Sequence, residues 1–259
     1  MIEVLCVGGT GETSSSDSRT QVTGMLSELL RFLPADEFRG VWVTYPGVYA
    51  HPAVSYAESV SVGAANLVRA VSASQNKVIV VGYSQGAEIV KRAMNEVLHK
   101  TPFLAEKIVG VGLVADPSRP GDQRTGWGGE SGYWDTRTYG IAGETHIDLA
   151  DLLHIPVWTI VAPGDPITDL PPGNPLRSIF DLTEFASLDT EVWAHALWER
   201  AKKRQWQRWW SIENWQTWGG AIAYLRGYLI DGRHTQDYIR GGHLERLATI
   251  MRTMSVKAK

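Results

Sequence analysis

The sequence predicts an α/β fold: a central, mainly parallel sheet with helices on both faces and a helical insertion late in the chain. Three observations predict it. Five short apolar runs rich in Val and Ile recur along the chain, amphipathic helical patterns lie between them, and one run passes without a gap through a Gly-x-Ser-x-Gly turn into a helix.

The first run, Ile2 to Val7, has the length and composition of a strand buried on both faces, and it opens into the loop GGTGE. Val22, Met25, Leu26, Leu29 and Leu30 then share one helical face, and Gly40 to Thr44 reads as the second strand. Ala57, Val60, Ala64, Leu67, Val68 and Val71 form the next apolar stripe. Lys77 to Val81 is the third strand, followed after the turn by a helix with Ile89, Val90, Ala93 and Val97 on one side. Lys107 to Ala115 and Ile155 to Val161 supply the fourth and fifth strands. Strands that alternate with helices build a parallel sheet, and sites in such sheets form at the carboxyl ends of the strands.

After Asp165 the alternation stops. The stretch PPGNP at 171–175 reads as a linker, and from about Asp189 to Ile230 the spacing is helical, with Trp215, Trp218, Ile222, Leu225 and Leu229 three and four apart. We divide the chain into a core of residues 1–174 and 231–259 and a Trp-rich helical insertion, 175–230. A last amphipathic segment, Leu244, Leu247, Ile250 and Met251, is expected to return and pack on the sheet.

Composition narrows the function classes. The 259 residues are 44% hydrophobic and 20% charged, which suits a globular chain with a sizeable core. A formal net charge of −3 leaves no basic excess with which to track nucleic-acid phosphates. One cysteine, Cys6, permits neither an intrachain disulfide nor a cysteine-based zinc site. No apolar run reaches the length of a membrane span, and the first residues, MIEVLCVGG, lack the basic and apolar regions of a signal peptide.

The run VIVVGYSQGAEIV carries the chemistry. A serine hydroxyl is a poor nucleophile at neutral pH and needs an imidazole to take its proton. Glycines at 82 and 86 allow a sharp turn that exposes Ser84, and the helix beginning near Gln85 aims backbone N–H groups at a reacting carbonyl. The best-placed acid is Asp165, directly after the fifth strand in VAPGD, with Asp169 as competitor; the alternative for Asp165 is a plain turn cap before Pro166. The base should follow the insertion. His234, in the polar loop DGRHTQDY, is preferred to His243, which opens the last helical segment and could simply be solvated there. The oxyanion hole needs two backbone donors, assigned to Gln85 and to Thr10 in the first loop. GGTGE lacks the full dinucleotide-binding G-x-G-x-x-G, so no nucleotide, metal or other cofactor is implied.

The succession GGTGE, YPGVYAHPAVSYAESVSVGAANL, VGYSQGAEIV, VGLVADPSRPGD and VAPGDPIT, with a late histidine before a C-terminal helix, resembles the cutinase-like serine esterases. It most closely resembles the lysin B enzymes of mycobacteriophages. The resemblance implies an α/β-hydrolase fold and cleavage of mycolic acids from arabinogalactan at the end of phage infection. It places the nucleophile on Ser84, the acid on Asp165 and the base on His234. It also implies action on lipid esters of the host envelope. We expect a monomer, made in the host cytoplasm without a signal peptide; because the first strand begins at residue 2, the N-terminal wall-binding domain that some lysin B proteins carry is expected to be absent.

Of 11 tryptophans, 7 fall between Trp193 and Trp218. They either pack the insertion or offer an apolar platform to acyl chains. Adjacent Trp209 and Trp210 cannot both face one core, so one is a candidate lipid-facing side chain. Tyr83, beside the serine, and Trp127 and Trp134, in the loop GWGGESGYW, are the other candidates for lining the substrate crevice.

Overall fold

The computed structural model of the chain describes residues 1–48, 54–121, 138–144, 155–174, 176–177 and 232–257. Five strands form one parallel sheet: β1 (Ile2–Val7), β2 (Phe38–Trp42), β3 (Lys77–Tyr83), β4 (Ile108–Val114) and β5 (Val157–Ile160), in the order β2-β1-β3-β4-β5. The helices are α1 (Met25–Leu30), α2 (Tyr56–Ala73), α3 (Gln85–Lys100), α4 (Gln236–Arg240) and α5 (His243–Lys257), with a 3₁₀ turn at Pro102–Lys107. The fold is that of an α/β-hydrolase.

The strand runs are apolar throughout because both faces of the sheet are covered. Along β3, Val78 and Val80 point into one core cluster with Val60, Leu67, Ile89 and Val90 of α2 and α3. Ile79 and Val81 point the other way, to Leu26 and Leu29 of α1 and Leu244, Leu247 and Met251 of α5. The alternation of a strand thus decides which helix each residue meets. The final amphipathic segment returns to the sheet as the sequence predicts.

Two elements differ from expectation. The second strand runs from Phe38 to Trp42 and not from Gly40 to Thr44, because the register is set by β1, where Ile2 pairs with Phe38. β2 is also an edge strand, so Phe38 and Trp42 are buried while Arg39 between them reaches solvent and pairs with Glu3. The first helix begins only at Met25. Gly24 adopts φ 64°, and the Glu12 carboxylate accepts the Met25 N–H at 2.8 Å, which fixes the start of α1 there and leaves Val22 outside it. Of the insertion 175–230, only residues 176–177 are described, so its helical reading lies outside the described residues.

Candidate active site

The strand order changes direction between β1 and β3, whose carboxyl ends open one crevice. Ser84 stands at the end of β3 with φ 55°, in the left-handed region that a non-glycine residue occupies only under constraint. Its own N–H bonds to Val114 O at 2.9 Å, and Ala87 N–H bonds to Ser84 O at 2.8 Å, so strand pairing and the first helical turn grip it from both sides. The flanking glycines answer to close approach. A Cβ on Gly82 would stand 2.6 Å from Ala87 N, and one on Gly86 would stand 2.6 Å from Gly8 O and jam into the Val7 carbonyl. The turn is possible only with bare backbone on either side of the serine.

Ser84 Oγ lies 2.8 Å from His234 Nε2, and His234 Nδ1 lies 3.0 Å from both carboxylate oxygens of Asp165. Asp165 has no solvent exposure, and its Oδ1 also accepts the Ile167 N–H at 2.9 Å. Both residues the sequence preferred are therefore at the serine. Asp169, the competing acid, instead builds the turn that carries Asp165: its Oδ2 accepts the Gly164 N–H at 2.8 Å and its Oδ1 accepts from Thr138 Oγ1 at 2.5 Å. Buried Arg119 supports the same turn through Thr168 O at 2.7 Å and Thr138 O at 2.9 Å. His243 opens α5 with its ring 5.8 Å from that of Tyr238. Burial chiefly, then the charge of Arg246, holds its imidazole below the usual histidine range, with Asp237 acting the other way.

In the first loop, hydrogen-bond occupancy singles out one N–H. Gly9 N–H is taken by Glu12 Oε2 at 2.7 Å, Gly11 N–H by Gly47 O at 2.8 Å, and Glu12 N–H by Gly9 O at 3.2 Å. Among the described residues, the Thr10 N–H has no such partner. Gln85, the first residue of α3, likewise has no carbonyl one turn back within its helix to receive its N–H. The two segments are tied together by Thr10 Oγ1 donating to Gln85 Oε1 at 2.9 Å, while Gln85 Nε2 donates to Ser59 Oγ at 3.0 Å and Val48 O at 3.1 Å. Gln85 opens a 16-residue helix, so the positive end of that helix lies directly after Ser84.

Tyr83 requires a correction. Expected in the crevice wall, it is 4% exposed and lies beneath the histidine: its hydroxyl donates to His234 O at 2.8 Å, and the two rings stack 5.3 Å apart at 26°. A residue alternating along β3 points back into the sheet layer when its neighbour faces the crevice. Trp127, Trp134, Trp209 and Trp210 lie outside the described residues. The sequence assigned no role to Tyr238, whose hydroxyl donates to Asp165 Oδ2 at 2.7 Å. Its only local signal is its position one helical turn beyond His234. It also missed a buried ionic cluster behind α3, in which Lys91 Nζ meets Asp116 Oδ2 at 2.9 Å and Ser118 O at 2.8 Å. Ser118 Oγ donates to Glu88 there.

The PE-PPE domain matches residues 36–128. No curated protein matches the chain. Among solved structures, lysin B from Mycobacteriophage D29 superposes with a TM-score of 0.52 at 18% identity, covering 86% of this chain and 98% of that one. A cutinase-like protein from Cryptococcus sp. gives 0.44 at 17% identity, with 65% and 79% covered. Trichoderma reesei cutinase gives 0.36 at 17% identity, with 76% and 73% covered. The likeness to the lysin B structure is one of fold, and no described helix is long and apolar enough to cross a membrane.

Proposed function

We propose that the chain is a serine hydrolase of carboxylic esters that works through an acyl-enzyme on Ser84. One observation carries the reading: the unbroken run Ser84 Oγ, His234, Asp165, with each step at 3.0 Å or less, beside the Thr10 and Gln85 N–H groups, which have no backbone partner among the described residues. In the first half-reaction His234 Nε2 takes the Ser84 proton as Oγ attacks the ester carbonyl, and Asp165 stabilises the imidazolium that forms. The carbonyl oxygen becomes an anion and is met by the N–H groups of Thr10 and Gln85, each such donor accounting for about 10²–10³ in rate. The imidazolium returns its proton to the leaving alcohol. Water, deprotonated by the same nitrogen, then releases the acid.

For the substrate we propose a lipid ester of the mycobacterial envelope, mycolyl-arabinogalactan, met after release of the protein from the host cytoplasm in which it is made. This rests on the resemblance of the GYSQG box and its flanking motifs to lysin B enzymes. The test is hydrolysis of p-nitrophenyl esters of increasing chain length and release of free mycolic acids from mycobacterial cell wall, with Ser84→Ala alongside. Wild type should do both, and Ser84→Ala should lose about 10⁴-fold or more of each. Hydrolysis of short esters with the cell wall left intact would retain the esterase and remove the envelope substrate. Full activity in Ser84→Ala would remove the mechanism.

A further inference from the structure

We propose that Tyr238 is a positioning residue of this site, a fourth member of the relay that acts on His234 through Asp165. The proposal rests on the reading of Ser84, His234 and Asp165 as a catalytic set. Asp165 has no exposure to water, so among the described residues its charge is compensated chiefly by the groups that donate to it. His234 Nδ1 stands 3.0 Å from each oxygen and by itself does not select between them. The carboxylate plane is fixed instead by one further donor on each side, the Ile167 N–H on Oδ1 at 2.9 Å and the Tyr238 O–H on Oδ2 at 2.7 Å. Without the tyrosine hydroxyl the carboxylate is free to turn, and Oδ2 has no competitor for the imidazole proton.

The location of Tyr238 supports the assignment. It is fully buried on α4, one turn beyond His234, so a single short segment grips Asp165 twice, once through the base and once through the phenol. Its ring meets that of Tyr83 edge-on at 6.5 Å, and Tyr83 holds the His234 carbonyl. Burial first, then the Asp165 charge, pushes the Tyr238 hydroxyl well above its ordinary value, so it remains a protonated donor wherever a histidine base operates. The other charged or titratable groups near this pair are Arg119, which faces Asp169 at 3.5 Å on the acid's side, and His243 against the tyrosine ring. Arg233 and Asp237 flank on the same segment.

The experiment compares the full-length wild type with Tyr238→Phe, which removes one oxygen and keeps the ring. Two readouts are taken: kcat and KM for p-nitrophenyl butyrate across pH, and the NMR titration midpoint of the His234 imidazole without substrate. With one donor lost, the carboxylate binds the imidazole proton more tightly. The acidic limb of the rate profile and the NMR midpoint should both move up by roughly half to one pH unit, with plateau kcat down about tenfold and KM nearly unchanged. A residue that only fills space would lower thermal stability and leave both midpoints in place, which overturns the proposal. If the variant does not fold, 3-fluorotyrosine at position 238 keeps the ring and makes a stronger donor, so the midpoint should move down; no movement there also overturns it. The NMR midpoint needs no turnover. If the wild type hydrolyses no ester, a midpoint shift between it and Tyr238→Phe would preserve the role of Tyr238 and reject the esterase reading.

Discussion

Gly86→Ala tests the geometry of the nucleophile turn more sharply than removal of the serine itself. A Cβ at 86 would stand 2.6 Å from Gly8 O, whereas real contacts of this kind stay beyond 3.0 Å, and it would press harder still on the Val7 carbonyl. Both neighbours are backbone at the end of β1, so neither can rotate aside. The start of α3 must withdraw by about 0.4 Å or more from the first loop, and Gln85 N–H withdraws with it from the proposed oxyanion position. Overpacking of this kind costs about 1–3 kcal/mol. Alanine recovers about 1 kcal/mol of that through its better helix propensity. The net change of about 0–2 kcal/mol lowers Tm by no more than about 8 °C for a chain of this size. Displacing an oxyanion donor is far more expensive, at about 10²-fold in kcat. The assay is therefore Tm beside kcat on p-nitrophenyl butyrate, with Gly63→Ala as companion. That Cβ would meet the Ile89 side chain, with Cγ1 at 3.0 Å, so it should cost similar stability and leave kcat within about twofold. A folded Gly86→Ala enzyme with kcat near wild type would refute the reasoning, because the two donors would then not depend on the approach of α3 to β1.

Three further outcomes follow from buried groups. Lys91→Met leaves Asp116 charged and unpaired in a site without solvent, and should cost about 3–5 kcal/mol, or roughly 9–15 °C in Tm; a loss under about 1 kcal/mol by guanidinium titration would contradict a buried pair. Burial first, with the Asp116 charge adding and the Lys91 charge opposing, raises the Glu88 carboxyl above its ordinary value. A raised acid contributes its stability below the unfolded carboxylate range and loses it as pH climbs through the folded value. Thermal scans from pH 4 to 8 should accordingly show Glu88→Gln gaining on the wild type as pH rises, and a constant offset would exclude the linkage. Burial also pushes the Cys6 thiol up, so iodoacetamide at pH 8 should modify it only after unfolding in guanidinium; rapid reaction in the native protein would mean that β1 opens locally.

The sequence by itself determined the sheet and the turn that carries Ser84. Runs such as Val78 to Val81 are apolar at every position, which only a strand covered on both faces requires, and the helical stripes between them force parallel pairing. Gly82 and Gly86 mark the turn because the clash they avoid involves backbone within the same motif and at the adjacent strand end. Those are local or nearly local demands, and residue order expresses them directly. Only the tertiary structure decided which acid and which histidine meet the serine. Asp165 and Asp169 are four apart on one turn, and their opposite duties depend on whether a side chain faces His234 or folds back on Gly164. Ser84 and His234 are 150 residues apart, and Tyr238 is 73 from the carboxylate it holds. Contacts at such separations are fixed by how α4 and α5 return to the sheet, through packing that no short window of sequence records. Tyr83 shows the same limit from the other side: adjacent to the nucleophile in sequence, it is turned by strand alternation into the layer beneath the histidine and away from the crevice.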